Sequence, residues 1–422
     1  MTRARNWAWL ATVALLPLGA CHGLFDVQSP GKIQDADLNT PVAVPGIVTG
    51  MSYDMARALN NSSEALSLLS VELYHGGSYN WGDLPAGIVK PEDVNGTWEA
   101  MFRPRYTTTA GIARIKGLIS PDAFAKSPEV ARAYMLGGFA NRHIGENVCQ
   151  TINPATGVPE SNTAEFDRGI ANFQQAIQIG TAAGKDAADY VTGAYGGLAT
   201  LEAWKGNWAA AATDAAKVPA DFVITAPLMV DGLSNTLNYE THSRYEYSVW
   251  STEAALHYGD PRVPWDTLYS DNGAIAVGAN GATPMFQQRK YDDLGANIPL
   301  TKGTEMLVLR AEAALRQSTP DIAGAYALMN EERAQYASLN PLTPSTDINQ
   351  AWADLHWERE AVTWLEGRHL WDERRWFAET GPAHYDIPKT AGDPTATLAD
   401  RAICIPISKD ELQSNPNIPS QP

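Results

Sequence analysis

The sequence is short of cysteine, of basic side chains and of long apolar runs. Three Cys in 422 residues exclude a disulfide-dense scaffold, and without a CxxC pair neither a thiolate zinc site nor a thioredoxin-type redox centre has support. Lys and Arg number 31 against 48 Asp and Glu, a formal charge of −17, so non-specific attraction to nucleic acid or anionic lipid has no electrostatic source. Beyond the N-terminus no apolar run reaches the roughly 18 residues of a spanning helix. The chain has no His-Glu-x-x-His and no Gly-x-Ser-x-Gly, which removes the common signatures of a zinc protease and of a serine hydrolase. Gly180 to Lys185 is one residue short of a Walker A loop and is followed by Asp186, not a hydroxyl, so it reads as a helix end. Asp271-Asn272-Gly273 reads as a turn before a calcium loop. What the sequence does have is 13 Trp and 16 Tyr, and aromatic faces serve both cores and carbohydrate-type surfaces.

The N-terminus reads as an address. Arg3 and Arg5 precede an apolar run from Trp7 to Leu18, which leads into Leu18-Gly19-Ala20-Cys21. The run is shorter than the roughly 20 residues needed to span a bilayer. Residues 1–20 therefore read as a bacterial lipoprotein signal peptide, with Cys21 the lipidation site. Several acyl chains together make such an anchor effectively permanent. His22, where an Asp would favour inner-membrane retention, favours the outer membrane. Cys149 and Cys404 remain. They could pair in an oxidising compartment, but two ordinary buried thiols is the favoured reading.

The mature chain is mainly α. Helical periodicity covers Gly46–Leu69, Trp98–Ile119 and Pro128–Val148, the last with Ser127 as N-cap. Phe166, Ile170, Phe173 and Ile177 share one face of a further helix. Tyr190–Trp204 and Trp208–Val218, joined at Lys205-Gly206-Asn207, carry small residues at Ala194, Gly196, Gly197 and Ala199, the pattern of a tetratricopeptide-like helical hairpin. Thr304–Gln317 and Ile322–Leu339 form a similar pair. Between them Asp221–Pro299 is rich in Gly, Pro, Asn and Asp with interleaved aromatics, an irregular segment of the kind that carries recognition on a rigid scaffold. Taken singly, each of those aromatics is more simply a piece of local core. The division expected is a signal at 1–20, a helical region with hairpins at 21–220, a loop-rich variable region at 221–300 and a C-terminal region at 301–422.

The stretch from Trp357 to Trp376 carries Glu358-Arg359, Glu366-Gly367, Asp372 and Arg375-Trp376. It resembles the C-terminal signature of the SusD/RagB family of outer-membrane nutrient-binding lipoproteins. Glu305–Arg316 is similar to the family's L-R-A-E-A helix, with Asn330 to Arg333 matching its N-x-x-R. Ile405-Pro406-Ile407, Glu411-Leu412 and Asn415-Pro416-Asn417 are similar to its closing segment. The ordered set covers nearly the whole chain, with departures at Val362, His369 and Glu373 and in the last residues. The resemblance implies a SusD-like fold with an irregular ligand region and no cofactor. It also implies a nutrient ligand, typically an oligosaccharide, and a SusC-like TonB-dependent transporter as partner, on which the protein acts as a lid at the outer membrane. The alternatives are a helical-repeat scaffold that binds proteins only, or a surface glycoside hydrolase.

The signature itself reads as structural. Arg359 and Glu366, seven apart, would share a helical face, and Asp372 stands one turn before Arg375 and Trp376. Buried Arg–carboxylate pairs fix helix packing more than they add stability. A hydrolase needs one protonated and one ionised carboxyl, whereas pairing of Glu358, Glu366 and Asp372 with Arg359, Arg374 and Arg375 would keep all three ionised. No catalytic residue and no metal ligand is therefore assigned. Ligand contact is expected instead from Tyr74, Tyr79, Asn80, Trp81 and Asp83 on a Gly-rich loop, and from Trp265 and Tyr269 in the variable region. Aromatic faces there would meet the C–H face of a sugar ring while Asn80 and Asp83 reach hydroxyls.

Overall fold

The computed structural model describes residues 35–78, 83–387 and 397–419. The signal peptide, Cys21, Tyr79, Asn80 and Trp81 lie outside the described residues. Helix α1 (Val44–Leu69) starts with a proline in its first turn, where no amide partner is lost, and buries Val48, Met51, Met55 and Leu66. Helix α2 (Asn95–Leu118) packs along it, and α3 (Pro121–Phe124) is a single turn. Helix α4 (Pro128–Asn147) is capped as its sequence predicts, the Ser127 hydroxyl accepting from the amide of Val130 at 3.3 Å. Helices α5 (Ala164–Ala183), α6 (Ala188–Trp204) and α7 (Trp208–Ala215) follow. Each leans on the next, and α7 leans on α10 (Gly303–Leu315), which pairs with α11 (Ile322–Arg333) and α12 (Ile348–Thr363). Helix α13 (His369–Phe377) and the short α14 (Lys409–Ser414) complete the chain, with α8 (Thr236–Asn238) and α9 (Glu253–Leu256) as single turns between the blocks.

The close approach of α4, α5 and α6 depends on glycine. A Cβ on Gly138 or Gly197 would lie 2.5 or 2.2 Å from atoms of the Phe173 ring. Phe173 also meets Phe139 edge-on at 5.0 Å. The small residues in the sequence mark where one ring seats two backbones.

Strand structure is sparse and antiparallel: β1 (Tyr74–His75) with β5 (Tyr247–Ser248), β2 (Gln150–Ile152) with β3 (Pro159–Ser161), β4 (Val223–Ala226) with β8 (Ile298–Lys302), and β6 (Trp265–Thr267) with β7 (Phe286–Gln288). The mainly α reading holds, and the 221–300 region consists of short strands, single helical turns and loops.

Three expectations about the course of the chain are corrected. Cys149 and Cys404 form a disulfide, with Cα atoms 5.0 Å apart. The 255-residue separation conceals that the closing segment runs beside the end of α4, where the Cys149 amide donates to the Ile405 carbonyl at 2.8 Å and Ile405 to Asn147 at 2.7 Å. Helix α11 stops at Arg333, not Leu339, because the Asn330 amide side chain brackets Leu342 from both sides and turns the chain back. Arg359 and Glu366 do not share a helix: α12 ends at Thr363, and Leu365 and Gly367 adopt positive φ in the break.

The acids also take other partners than expected. Glu358 accepts from Arg262 and Arg333, and Glu366 from Lys290 and Lys302. Asp372 keeps Arg359 and Arg375, and Arg374 donates to the carbonyl of Val148. Burial alone would raise the Glu366 and Asp372 carboxyls, but Lys290 with Lys302, and Arg359 with Arg375, outweigh it and hold both low. Arg368 adds a bidentate grip on Glu146, which ties α13 to α4.

Candidate functional site

The start of the early loop region, residues 74–78, packs on the strands and turns of the variable region. Strand β1 lies on β5. Beyond it Val249 donates to Phe286 at 2.8 Å, which sets β7 and then β6 alongside. Two glycines make the closest approaches possible. A Cβ on Gly77 would fall 1.7 Å from a Glu246 carboxylate oxygen, and one on Gly278 would fall 2.3 Å from the Gly76 carbonyl. The Asn280 amide donates to that same carbonyl at 2.9 Å, and the Ser78 amide to Glu246 at 2.8 Å. The 74–78 loop is thus fastened to the 276–284 turn.

Tyr74 is half-buried and meets Trp250 edge-on at 4.9 Å. Trp265 stacks on Phe286 with ring centroids 4.6 Å apart and 16° between planes, donates from Nε1 to the Ala254 carbonyl at 3.0 Å, and meets Tyr258 at 4.8 Å. Tyr258 and Tyr269 are the open rings, 67% and 62% exposed. Asp83 is engaged by Lys90 at 2.6 Å. The structure thus brings Tyr74, Trp265 and Tyr269 onto neighbouring strands and loops, with Trp265 as the fixed ring under Tyr258.

Beside Tyr258 opens a cavity of about 660 Å³ between α9 and the linker that joins α11 to α12. Its walls include His257, Trp357, Arg333, Asn340 and Asp354. His257 and Trp357 lie face to face, centroids 3.5 Å apart. Sequence reasoning did not single out this pair or Asn340. His257 and Trp357 stand 100 positions apart on separate elements, and no local pattern signals their meeting.

A larger cavity, about 1130 Å³, runs along α2 towards α5 and α14. Its chemistry is mostly self-satisfied. Trp98 and Phe102 stack on each other at 4.3 Å, the Arg105 guanidinium lies 4.8 Å from the Phe102 ring, and Arg103, Arg105 and Arg168 are each paired with an acid. Its open ring, Tyr106, stands beside these paired groups, whereas the smaller cavity sets the open Tyr258 beside the His257–Trp357 stack and is the better ligand candidate.

Several acids sit beneath the aromatic face. Burial, then the nearby Glu240, push Glu64 up to about 8. Burial likewise takes Glu360 to about 8 against the pull of His369. His369 itself would be lowered by burial, but Glu360 and Glu373 raise it to about 10. Glu360, Glu373 and His369 are buried, out of reach of a polymeric substrate. Among the described residues no group of three or more His, Cys, Asp or Glu is placed to hold a metal ion, and no helix is long and apolar enough to cross a membrane.

No family model matches the chain, and no curated protein matches it. Solved structures do. A SusD-like carbohydrate binding protein from Bacteroides vulgatus ATCC 8482 superposes with a TM-score of 0.65 at 15% identity, over 90% of this chain and 97% of that one. A SusD superfamily protein from the same organism gives 0.64 at 12% identity, over 91% and 99%. A SusD/RagB family protein from Bacteroides thetaiotaomicron VPI-5482 gives 0.63 at 12% identity, over 89% and 94%. From the first helix to the closing segment, this chain has the SusD/RagB fold.

Proposed function

We propose that this chain is a surface lipoprotein that captures an oligosaccharide and works as the lid of a SusC-like TonB-dependent transporter in the outer membrane. The observation that carries the reading is the open cavity lined by the exposed Tyr258, which rests on Trp265, and by the stacked His257 and Trp357. One neighbour in fold is described as a carbohydrate binding protein, which supports the same ligand class here. Lipid at Cys21 would hold the body at the membrane, and the transporter would supply the energy. Tyr79, Asn80, Trp81 and Asp83, which follow β1 in sequence, complete the proposed contact set.

Isothermal titration of the mature protein against a polysaccharide panel tests the ligand. Binding of at least one glycan, weakened by Trp81→Ala and by Tyr258→Ala, is the expected result. Unchanged affinity in both variants would remove the aromatic site, and no binding across the panel would remove the carbohydrate reading. Co-purification with a barrel transporter from native outer membranes tests the partner.

A further inference from the structure

Resting on that reading, we propose that the site selects saccharides by charge. It admits neutral and amine-bearing chains and turns away chains bearing carboxylate or sulfate. The cavity beside Tyr258 is walled by Glu253, Asp260, Asp354 and Glu358. The basic groups near them are already committed. Arg262 is shared among Asp260, Glu332 and Glu358, and Arg333 bonds Glu358 and a backbone carbonyl. Arg289, next to Trp265 through its pair with Asp266, is held by Asp292 as well. Among the described residues that line the cavity, no uncommitted Lys or Arg greets an anionic ligand.

Glu253 is the most telling residue. One of its carboxylate oxygens takes His257 at 3.1 Å, and the other is buried without a hydrogen-bond partner. The carboxylate as a whole lines the cavity and can only accept hydrogen bonds, which a hydroxyl or ammonium supplies and a carboxylate or sulfate cannot. Behind Glu253 stand Glu360 and Glu373, with only His369 between them. The wall that a ligand meets carries four carboxylates against the guanidinium of Arg333. Like charges brought together across a partly desolvated interface are rejected, and this sets specificity more than it sets affinity.

The test uses hexasaccharides of matched length: cellohexaose, mannohexaose, chitosan hexamer, oligogalacturonate and oligomannuronate, titrated into the mature protein at low and high salt. The expected result is that the tightest binders are neutral or amine-bearing, with both uronates at least tenfold weaker and the gap narrowing at high salt. Glu253→Gln combined with Asp354→Asn should narrow it further while the neutral hexamers still bind, and the melting temperature of that variant controls for folding. Uronates that bind as tightly as the neutral hexamers, or a gap the double variant leaves unchanged, would overturn the charge selection and leave the carbohydrate reading standing. Failure of every hexamer and of the wider polysaccharide panel would sink both together.

Discussion

Arg359 donates from Nε to Asp372 at 2.8 Å across the break between α12 and α13, with both side chains almost wholly buried. The same guanidinium reaches Glu305 on α10 at 3.1 Å, so one residue fixes three helices. Replacing it by Met leaves two buried carboxylates short of a counter-charge, which costs about 3–5 kcal/mol. Urea unfolding of Arg359→Met checks this. A loss no greater than that from cutting the exposed Arg114–Asp35 pair would contradict it.

Stability should fall as pH rises through the Glu64 window. Its carboxyl is held up to about 8 in the fold, well above its value in an unfolded chain. The folded state therefore binds the extra proton, and the stability this gives is complete below about 4.5 and lost as pH climbs through 8. Glu64→Gln should raise the melting temperature at pH 8.5 and change it little at pH 5. An equal shift at both pH values would contradict the assignment.

Tyr258 and Trp265 should separate binding from folding. Tyr258 is largely exposed and its removal should leave the melting temperature within a degree or so. Trp265→Ala loses a stacked ring and a partly buried indole N–H bond, and should cost about 2–4 kcal/mol. Both should weaken glycan binding several-fold. A Tyr258→Ala protein that binds normally would place the ligand elsewhere.

Reduction or the double change Cys149→Ser, Cys404→Ser should destabilise the protein by about 2–5 kcal/mol, since the bridge closes a long loop in the unfolded chain. Thermal melts with and without dithiothreitol make the comparison. A wild-type curve that dithiothreitol does not move, with the thiols shown to be free, would remove the predicted contribution.

The helical frame was legible because its signals are local. Ser127-Pro128 opens α4 where such a pair should, and Gly197 of α6 announces the close packing against Phe173. What stayed hidden depends on residues distant in sequence. Cys149 meets Cys404 only because the closing segment bridges Val148 to Ile405. Glu358 pairs with Arg262 of the variable region and not with its neighbour Arg359. At the site, composition pointed to Trp265 and Tyr269, but not to the stack of His257 on Trp357, whose partners arrive from different elements.

The seam closed by Ile405 has a consequence for how the protein is made. Ile405 and Ile407 complete the cluster that holds Leu66, Leu69, Trp98 and Ile144 together. At synthesis rates of roughly 5–20 residues per second, the 255 residues from Cys149 to Cys404 take on the order of 10–50 s to appear. For that interval the earliest helices present an open apolar flank, which the chain's own tail has not yet arrived to cover.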